Sequence, residues 1–230
     1  MRLGVIGTSH IATLKLGWEI LGPQHPGIAT TFFGAPLGKL AGLKPQGERL
    51  ASADPATRAL LAASSGGIED IAPKDFDAIL LAGMRLYLPR LDARMSQALR
   101  DTALADVIAE GLAPRLAKRF RRLAPVPLYF APEPLWADLP RYRRGEGHLL
   151  SYAEVLAGLQ SRLPLRRAKI LPQPEKTISA ALLTKLAYSV ETEPLEQVEA
   201  SGRAFDQVHM NAEFGAAWWE ANLPELRAGF

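Results

Sequence analysis

A three-layer α/β sandwich around a five-stranded parallel sheet is the fold this sequence predicts, in one domain spanning residues 1–230. Short apolar runs and helical stretches alternate five times along the chain, as strand–helix crossovers do. The runs are continuously apolar, as strands are when helices cover both faces of a sheet. No internal repeat or linker divides the chain, and 230 residues can bury a sizeable core.

Residues 3–6 form an apolar run that ends at Gly7, which predicts the first strand. Ile11, Leu14, Trp18 and Leu21 then recur at helical spacing, and Gly22-Pro23 stops that helix. Residues 28–33 are rich in β-branched and aromatic side chains and predict the second strand, ending in a loop over residues 34–38. Residues 39–75 form the least regular stretch. One short helix is expected there at 56–63, capped by Asp54 with Pro55 in its first turn. The remainder reads as an irregular insert, a candidate lid or binding loop. Residues 76–81 predict the third strand and 91–123 a helix in two pieces, broken at Gly111 and Pro114. In the second piece Leu116, Phe120 and Leu123 share one face. Residues 126–131 predict the fourth strand, 152–163 a helix capped by Ser151, and 168–171 the fifth strand. Helices at 177–188 and 212–221 complete the chain, the last capped by Asn211 and closed at 222–224. Parallel sheets bind ligands beyond the carboxyl ends of their strands. Ser9, Gly38, residues 83–85 and residues 132–134 all follow predicted strand ends, so they are expected on one rim.

The composition is ordinary for a globular protein, with 48% hydrophobic and 22% charged residues. The absence of cysteine excludes disulfides, thiolate metal sites and cysteine nucleophiles. The first residues enter a strand pattern directly, so no signal peptide is expected. No apolar run approaches the roughly 18 residues of a membrane span, and the expected location is the cytoplasm. The net charge is +3 and the isoelectric point is near 9.3. Basic residues cluster at Arg115, Lys118, Arg119, Arg121 and Arg122, at Arg141, Arg143 and Arg144, and at Arg166, Arg167 and Lys169. They read either as solvated faces or as attraction to an anionic substrate, polymer or membrane surface. Aromatic residues do not interleave with them, so nucleic-acid binding is not expected.

Two short segments carry the chemistry. Ser9 stands where the first strand turns into the first helix, with its hydroxyl at the rim beside free helix N–H groups. A serine there can be a nucleophile or a plain helix cap. Asp206 precedes His209 by three residues, close enough for the carboxylate to hold the imidazole tautomer while the other nitrogen takes a proton from Ser9. A surface aspartate near an unrelated histidine is the alternative. The four histidines are scattered without ligand spacing, so no metal site is expected.

Gly7-Thr8-Ser9-His10 after the first strand, Gly38 after the second, Gly83 after the third and Asp206-x-x-His209 near the end resemble the ordered blocks of the SGNH/GDSL hydrolase superfamily. Residues 128–134 also look like that family's fourth strand. The resemblance implies a flavodoxin-like sheet with Ser9 as nucleophile, His209 as base and Asp206 as its orienter. It also implies an oxyanion hole made by the N–H groups of Ser9 and Gly38. The family's third oxyanion donor is an asparagine, and that position is Arg85 here, which could donate in its place or point to solvent. Thr8 replaces the family's aspartate. The implied activity is serine esterase chemistry on a carboxylic ester, with a sugar O-acetyl ester as one candidate substrate, and no cofactor. The alternatives are acyl transfer to a sugar hydroxyl, or a non-catalytic carbohydrate- or anion-binding domain. A dinucleotide site is a rival reading of the first turn, but Ser9 replaces the second glycine of that fingerprint and the second strand lacks a terminal acid. The oligomeric state is not legible.

Overall fold

The computed structural model describes residues 1–143, 148–190 and 208–229. The expected sheet is present, with five parallel strands in the order β2-β1-β5-β6-β7. These are β1 (Arg2–Gly7), β2 (Ala29–Gly34), β5 (Ala78–Ala82), β6 (Leu128–Ala131) and β7 (Ala168–Ile170). A separate hairpin pairs β3 (Lys44–Gln46) with β4 (Arg49–Ala51).

Successive strand side chains divide between two apolar layers. Leu3, Val5, Leu80 and Tyr129 face α1 (His10–Leu21) and α7 (Ala212–Ala228), packing with Ile11, Leu14, Phe214 and Trp218. Ile6, Leu81, Leu128 and Phe130 face the opposite layer. That layer comprises α2 (Leu37–Ala41), α3 (Pro55–Ser65), α4 (Gln97–Glu110), α5 (Leu112–Leu123) and α6 (Tyr152–Arg162). Helices on both faces explain why the strand segments carry no polar alternation.

Four expectations need correction. Residues 39–75 are not irregular: α2, the hairpin and α3 occupy much of the stretch, and Leu40, Leu43, Leu50 and Leu61 are fully buried. Asp54 does cap α3, its Oδ1 accepting from the Ala56 N–H at 3.1 Å, with Pro55 at the first helical position. The helix expected from residue 91 starts at Gln97, after the Ser96 cap. Its break lies at Gly111 alone, because Pro114 falls in the first turn of α5, where a missing N–H costs nothing. Residues 177–188 are not a helix. Single 3₁₀ turns at Glu175–Thr177 and Leu186–Tyr188 flank a bridge between Ile178 and Thr184. The threonine hydroxyls bind backbone carbonyls instead, Thr177 donating to Pro174 O at 2.7 Å and Thr184 to Leu135 O at 2.5 Å. Gln173 donates to both hydroxyls at 3.1 and 3.0 Å. Such side-chain bonds offer the backbone an alternative to the helix. Finally, α7 continues through Pro224 to Ala228. Leu223 and Leu226 are buried there, and their packing outweighs the lost hydrogen bond.

Several arginines of the basic clusters tie the fold together. Arg119 donates to the carbonyls of Ala41 and Leu43, Arg121 to those of Arg166 and Arg167, and Arg167 to that of Pro125. Arg144 lies outside the described residues. Among the described residues no helix is long and apolar enough to cross a membrane.

Candidate active site

The order β2-β1-β5-β6-β7 reverses direction at the β1/β5 pair, which opens a crevice at their carboxyl ends. Gly7 is the last residue of β1. A Cβ there would lie 2.5 Å from Ala82 O and 2.3 Å from Ile11 Cγ2. Only glycine lets the strand end, its neighbour and the first turn of α1 approach so closely. That turn sets Ser9 over the crevice. Ser9 has helical φ and ψ of −51° and −27°, and its side chain makes no capping bond. The hydroxyl instead meets His209 Nε2 at 2.7 Å, across 200 residues of sequence. With the imidazole proton on Nδ1, the serine donates to Nε2.

Packing of α7 on α1 brings His209 there. The two helices touch backbone to backbone: a Cβ on Gly17 would fall 2.1 Å from Gly215 C, and one on Gly215 would fall 2.0 Å from Thr13 O. Trp219 Nε1 donates to Leu14 O at 2.7 Å in the same interface. One turn beyond Ser9, the buried Thr13 hydroxyl donates to Met210 O at 2.6 Å, which fixes the backbone next to His209. Asn211 caps α7 by accepting from Phe214 N–H at 3.1 Å, while its amide donates to the carbonyls of Ala187 and Val190. Asp206 lies outside the described residues.

The next group at the crevice follows β5. Gly83, Met84 and Arg85 all have left-handed φ, at 69°, 58° and 60°. For the two non-glycine residues this costs roughly 1–2 kcal/mol each. The surroundings offset it. Met84 is fully buried, and its carbonyl accepts from Leu112 N–H at 2.9 Å, in the first turn of α5. Arg85 N–H donates to Glu133 Oε1 at 2.8 Å, and Glu133 N–H donates back to Leu86 O at 2.7 Å. Gly83 also supports the histidine after the serine, since a Cβ there would lie 2.7 Å from His10 Cδ2. The His10 and His209 rings are tilted together with centroids 5.3 Å apart.

Sequence reasoning placed Glu133 on the rim but gave it no role. Its signal was a lone acid between two prolines at a strand end. Burial pushes its carboxyl up, and the Arg85 amide and the charges of Arg85 and His209 pull it back only in part. Arg85 is exposed, and its own amide is already committed to Glu133. Gly38 is exposed in the first turn of α2. A cleft opens beside these residues, with His10, Gly83, Glu133, Tyr152, Gln173 and Trp218 in its wall. Tyr152 accepts from Gln173 N–H at 2.7 Å, and burial pushes its phenol up to about 12, so it stays protonated at neutral pH. Ser9 and His209 are not in that wall. His10 and Glu133 link the pair to the cleft.

No protein-family model matches the chain, and a search of curated proteins gave no match. Among solved structures, the chain is similar to the periplasmic domain of a lipopolysaccharide acetyltransferase from Salmonella ser. Paratyphi A. The identity is 14%, over 98% of this chain and 83% of that one, with a TM-score of 0.46. It is also similar to a carbohydrate esterase family 2 enzyme with a carbohydrate binding domain from Corynascus thermopiles (Myceliophthora fergusii). There the identity is 13%, over 99% of this chain and 65% of that one, with a TM-score of 0.43. A DUF4886 family protein from Bacteroides uniformis gives 11% identity, over 96% and 82% of the two chains, and a TM-score of 0.40. What the site can do follows from its own geometry.

Proposed function

We propose that this chain is a serine esterase of SGNH type, acting on a carboxylic ester through an acyl-serine intermediate. The observation that carries the reading is the 2.7 Å contact between Ser9 Oγ and His209 Nε2, made by a serine whose hydroxyl does not cap its helix. In this reading Ser9 Oγ attacks the carbonyl carbon as its proton passes to His209 Nε2. The tetrahedral intermediate collapses, and the leaving alkoxide takes that proton and departs as an alcohol. Water then attacks the acyl-serine and yields its proton to His209, which returns it to Ser9 Oγ as the carboxylic acid leaves. Asp206 is assigned to hold the imidazole tautomer. The oxyanion is assigned to the N–H groups of Ser9 and Gly38 and to the Arg85 guanidinium, which replaces the family's amide donor. If a hydroxyl compound reaches the acyl-serine before water, the same steps deliver transfer.

The test uses p-nitrophenyl acetate and a fluorophosphonate, with the adduct located by mass spectrometry. Labelling at Ser9 is expected, together with turnover that falls on the order of 10⁶-fold in Ser9→Ala or His209→Ala. Arg85 at the family's asparagine position favours a second reading, a non-catalytic carbohydrate- or anion-binding domain. Folded protein with neither adduct nor turnover would overturn the esterase and favour that reading instead.

A further inference from the structure

Several carboxylates elsewhere in the molecule sit beside cations: Asp54 with Lys39, Asp70 with Arg49, Asp92 with Arg94, Glu225 with Lys169. Glu133 differs. It is half-buried in the cleft wall, and among the described residues it forms no ion pair within 4 Å. One neutral donor holds it, the Arg85 N–H at Oε1. Its second oxygen, Oε2, accepts from no described group. Bringing a carboxylate into partial burial with one amide partner is unfavourable for the fold. The side chain is nevertheless well fixed. Pro132 and Pro134 restrict the backbone on either side, the Glu133 N–H is bound to Leu86 O, and Oε1 is anchored. Oε2 is thus an open acceptor on a fixed side chain of the wall that also carries His10, whose ring centroid lies 5.3 Å from that of His209.

We propose that Glu133 is the substrate-selecting residue of this site: its Oε2 accepts a hydrogen bond from a hydroxyl or ammonium group on the substrate, and its charge turns away substrates that are anionic at that place. The inference rests on the esterase reading and narrows it. The surface arginines suggest acidic substrates when the sequence is read alone, whereas Glu133 puts a carboxylate in the cleft wall itself. The ester therefore belongs to a neutral polyol or an amino alcohol rather than to a hydroxy acid. The same acceptor would align an incoming hydroxyl in the transfer variant.

The test is a charge series of small acetyl esters: 2-hydroxyethyl acetate, acetylcholine and acetoxyacetate, followed by pH-stat. The readout is the ratio of kcat/KM values within one protein, so any loss common to all three esters cancels. The wild type should prefer 2-hydroxyethyl acetate over acetoxyacetate by about tenfold or more, as like-charge exclusion at a confined site requires. Glu133→Gln keeps an oxygen for the Arg85 amide and removes the charge, and should flatten that ratio toward one. Glu133→Asp should keep the ordering. A ratio that is unchanged in Glu133→Gln, or a wild type that prefers acetoxyacetate, overturns the proposal. If no ester is cleaved, the esterase reading fails on its own, and binding of the three compounds to Ser9→Ala by saturation-transfer NMR decides the matter of Glu133. An order that puts the anion last, and that disappears in the Ser9→Ala, Glu133→Gln double variant, supports the selecting role. An order indifferent to position 133 refutes it.

Discussion

Gly215→Ala tests whether the α1–α7 contact builds the site. The added Cβ would sit 2.0 Å from Thr13 O and 2.9 Å from Thr13 C. Those are backbone atoms within a helix, so no rotamer can relieve the clash and the helices must part by about 1 Å or more. Overpacking of this kind typically costs about 1–3 kcal/mol, or about 2–12 °C in Tm at roughly 2–4 °C per kcal/mol for a chain of this size. The functional loss should be larger than the structural one. Parting the helices lengthens the Thr13–Met210 hydrogen bond and moves His209 away from Ser9, and a misplacement near 1 Å can cost on the order of 10²-fold in rate. Thermal melting and kcat for p-nitrophenyl acetate should be measured on Gly215→Ala, on Gly17→Ala, and on Gly27→Ala as a control, because a Cβ at Gly27 meets nothing within 4 Å. The first two should lose both stability and rate, and the control neither. Wild-type melting and rate in Gly215→Ala would refute the claim that this helix pair positions the imidazole.

Thr13→Val keeps the shape of a buried residue but strips the donor from Met210 O. It should cost about 1–3 kcal/mol by urea denaturation, with a fall in kcat rather than a rise in KM. Glu133→Gln should melt higher than wild type at pH 8 and lose that advantage at pH 4. A carboxyl raised by burial leaves its stabilising contribution intact below its unfolded pKa and loses it as pH rises through the folded one; equal melting shifts at both pH values would contradict this. Asp54→Asn addresses the opposite case. Lys39, Thr57 and the Ala56 amide hold the Asp54 carboxyl down at about 2, so its contribution is present above the unfolded value near 4 and fades as pH falls toward 2. The variant should melt lower than wild type at pH 6 and converge with it at the acid end.

The strands and most helices were legible because their signals are local. Continuous apolar runs marked β1, β5 and β6, and Asp54-Pro55, Ser151 and Asn211 each announced a helix start that the structure contains. Residues 177–188 misled because the groups that undo the helix lie elsewhere: Leu135 is 49 positions from the threonine that binds it, and no sequence window contains both. The hairpin in residues 39–75 was hidden by its length, three residues per strand. At the site, Ser9 and His209 were legible as residue types in suitable places, whereas their contact depends on a helix crossing whose closest point, at Gly17 and Gly215, has no side chain. Gly17 and Gly215 leave no apolar periodicity to detect, and Thr13 lies among the apolar positions of α1 as an unremarked polar residue. Glu133 was visible as an acid between prolines, but its meaning depends on the turn after β5, whose left-handed Met84 and Arg85 no propensity would predict.

That turn also shows where the molecule tolerates unfavourable conformations. Two of the four described non-glycine residues with left-handed φ are Met84 and Arg85, and both stand at the rim beside Glu133, the carboxyl that burial most clearly opposes. The two costs are coupled. The left-handed turn aims the Arg85 N–H at Glu133 Oε1, and without that turn the carboxylate would lose its hydrogen bond in a half-buried place. Without Glu133, the Arg85 amide would lose its acceptor in turn. Each unfavourable feature is tolerated because it satisfies the other, and full burial of Met84 and Leu86 on either side of Arg85 locks the pair in place. A fold optimised for stability alone would favour a simple turn and an apolar residue at position 133. This chain instead holds strain and a half-buried carboxyl together, at the switch point of its sheet and next to a serine–histidine contact, and that coincidence is what the proposed esterase reading accounts for.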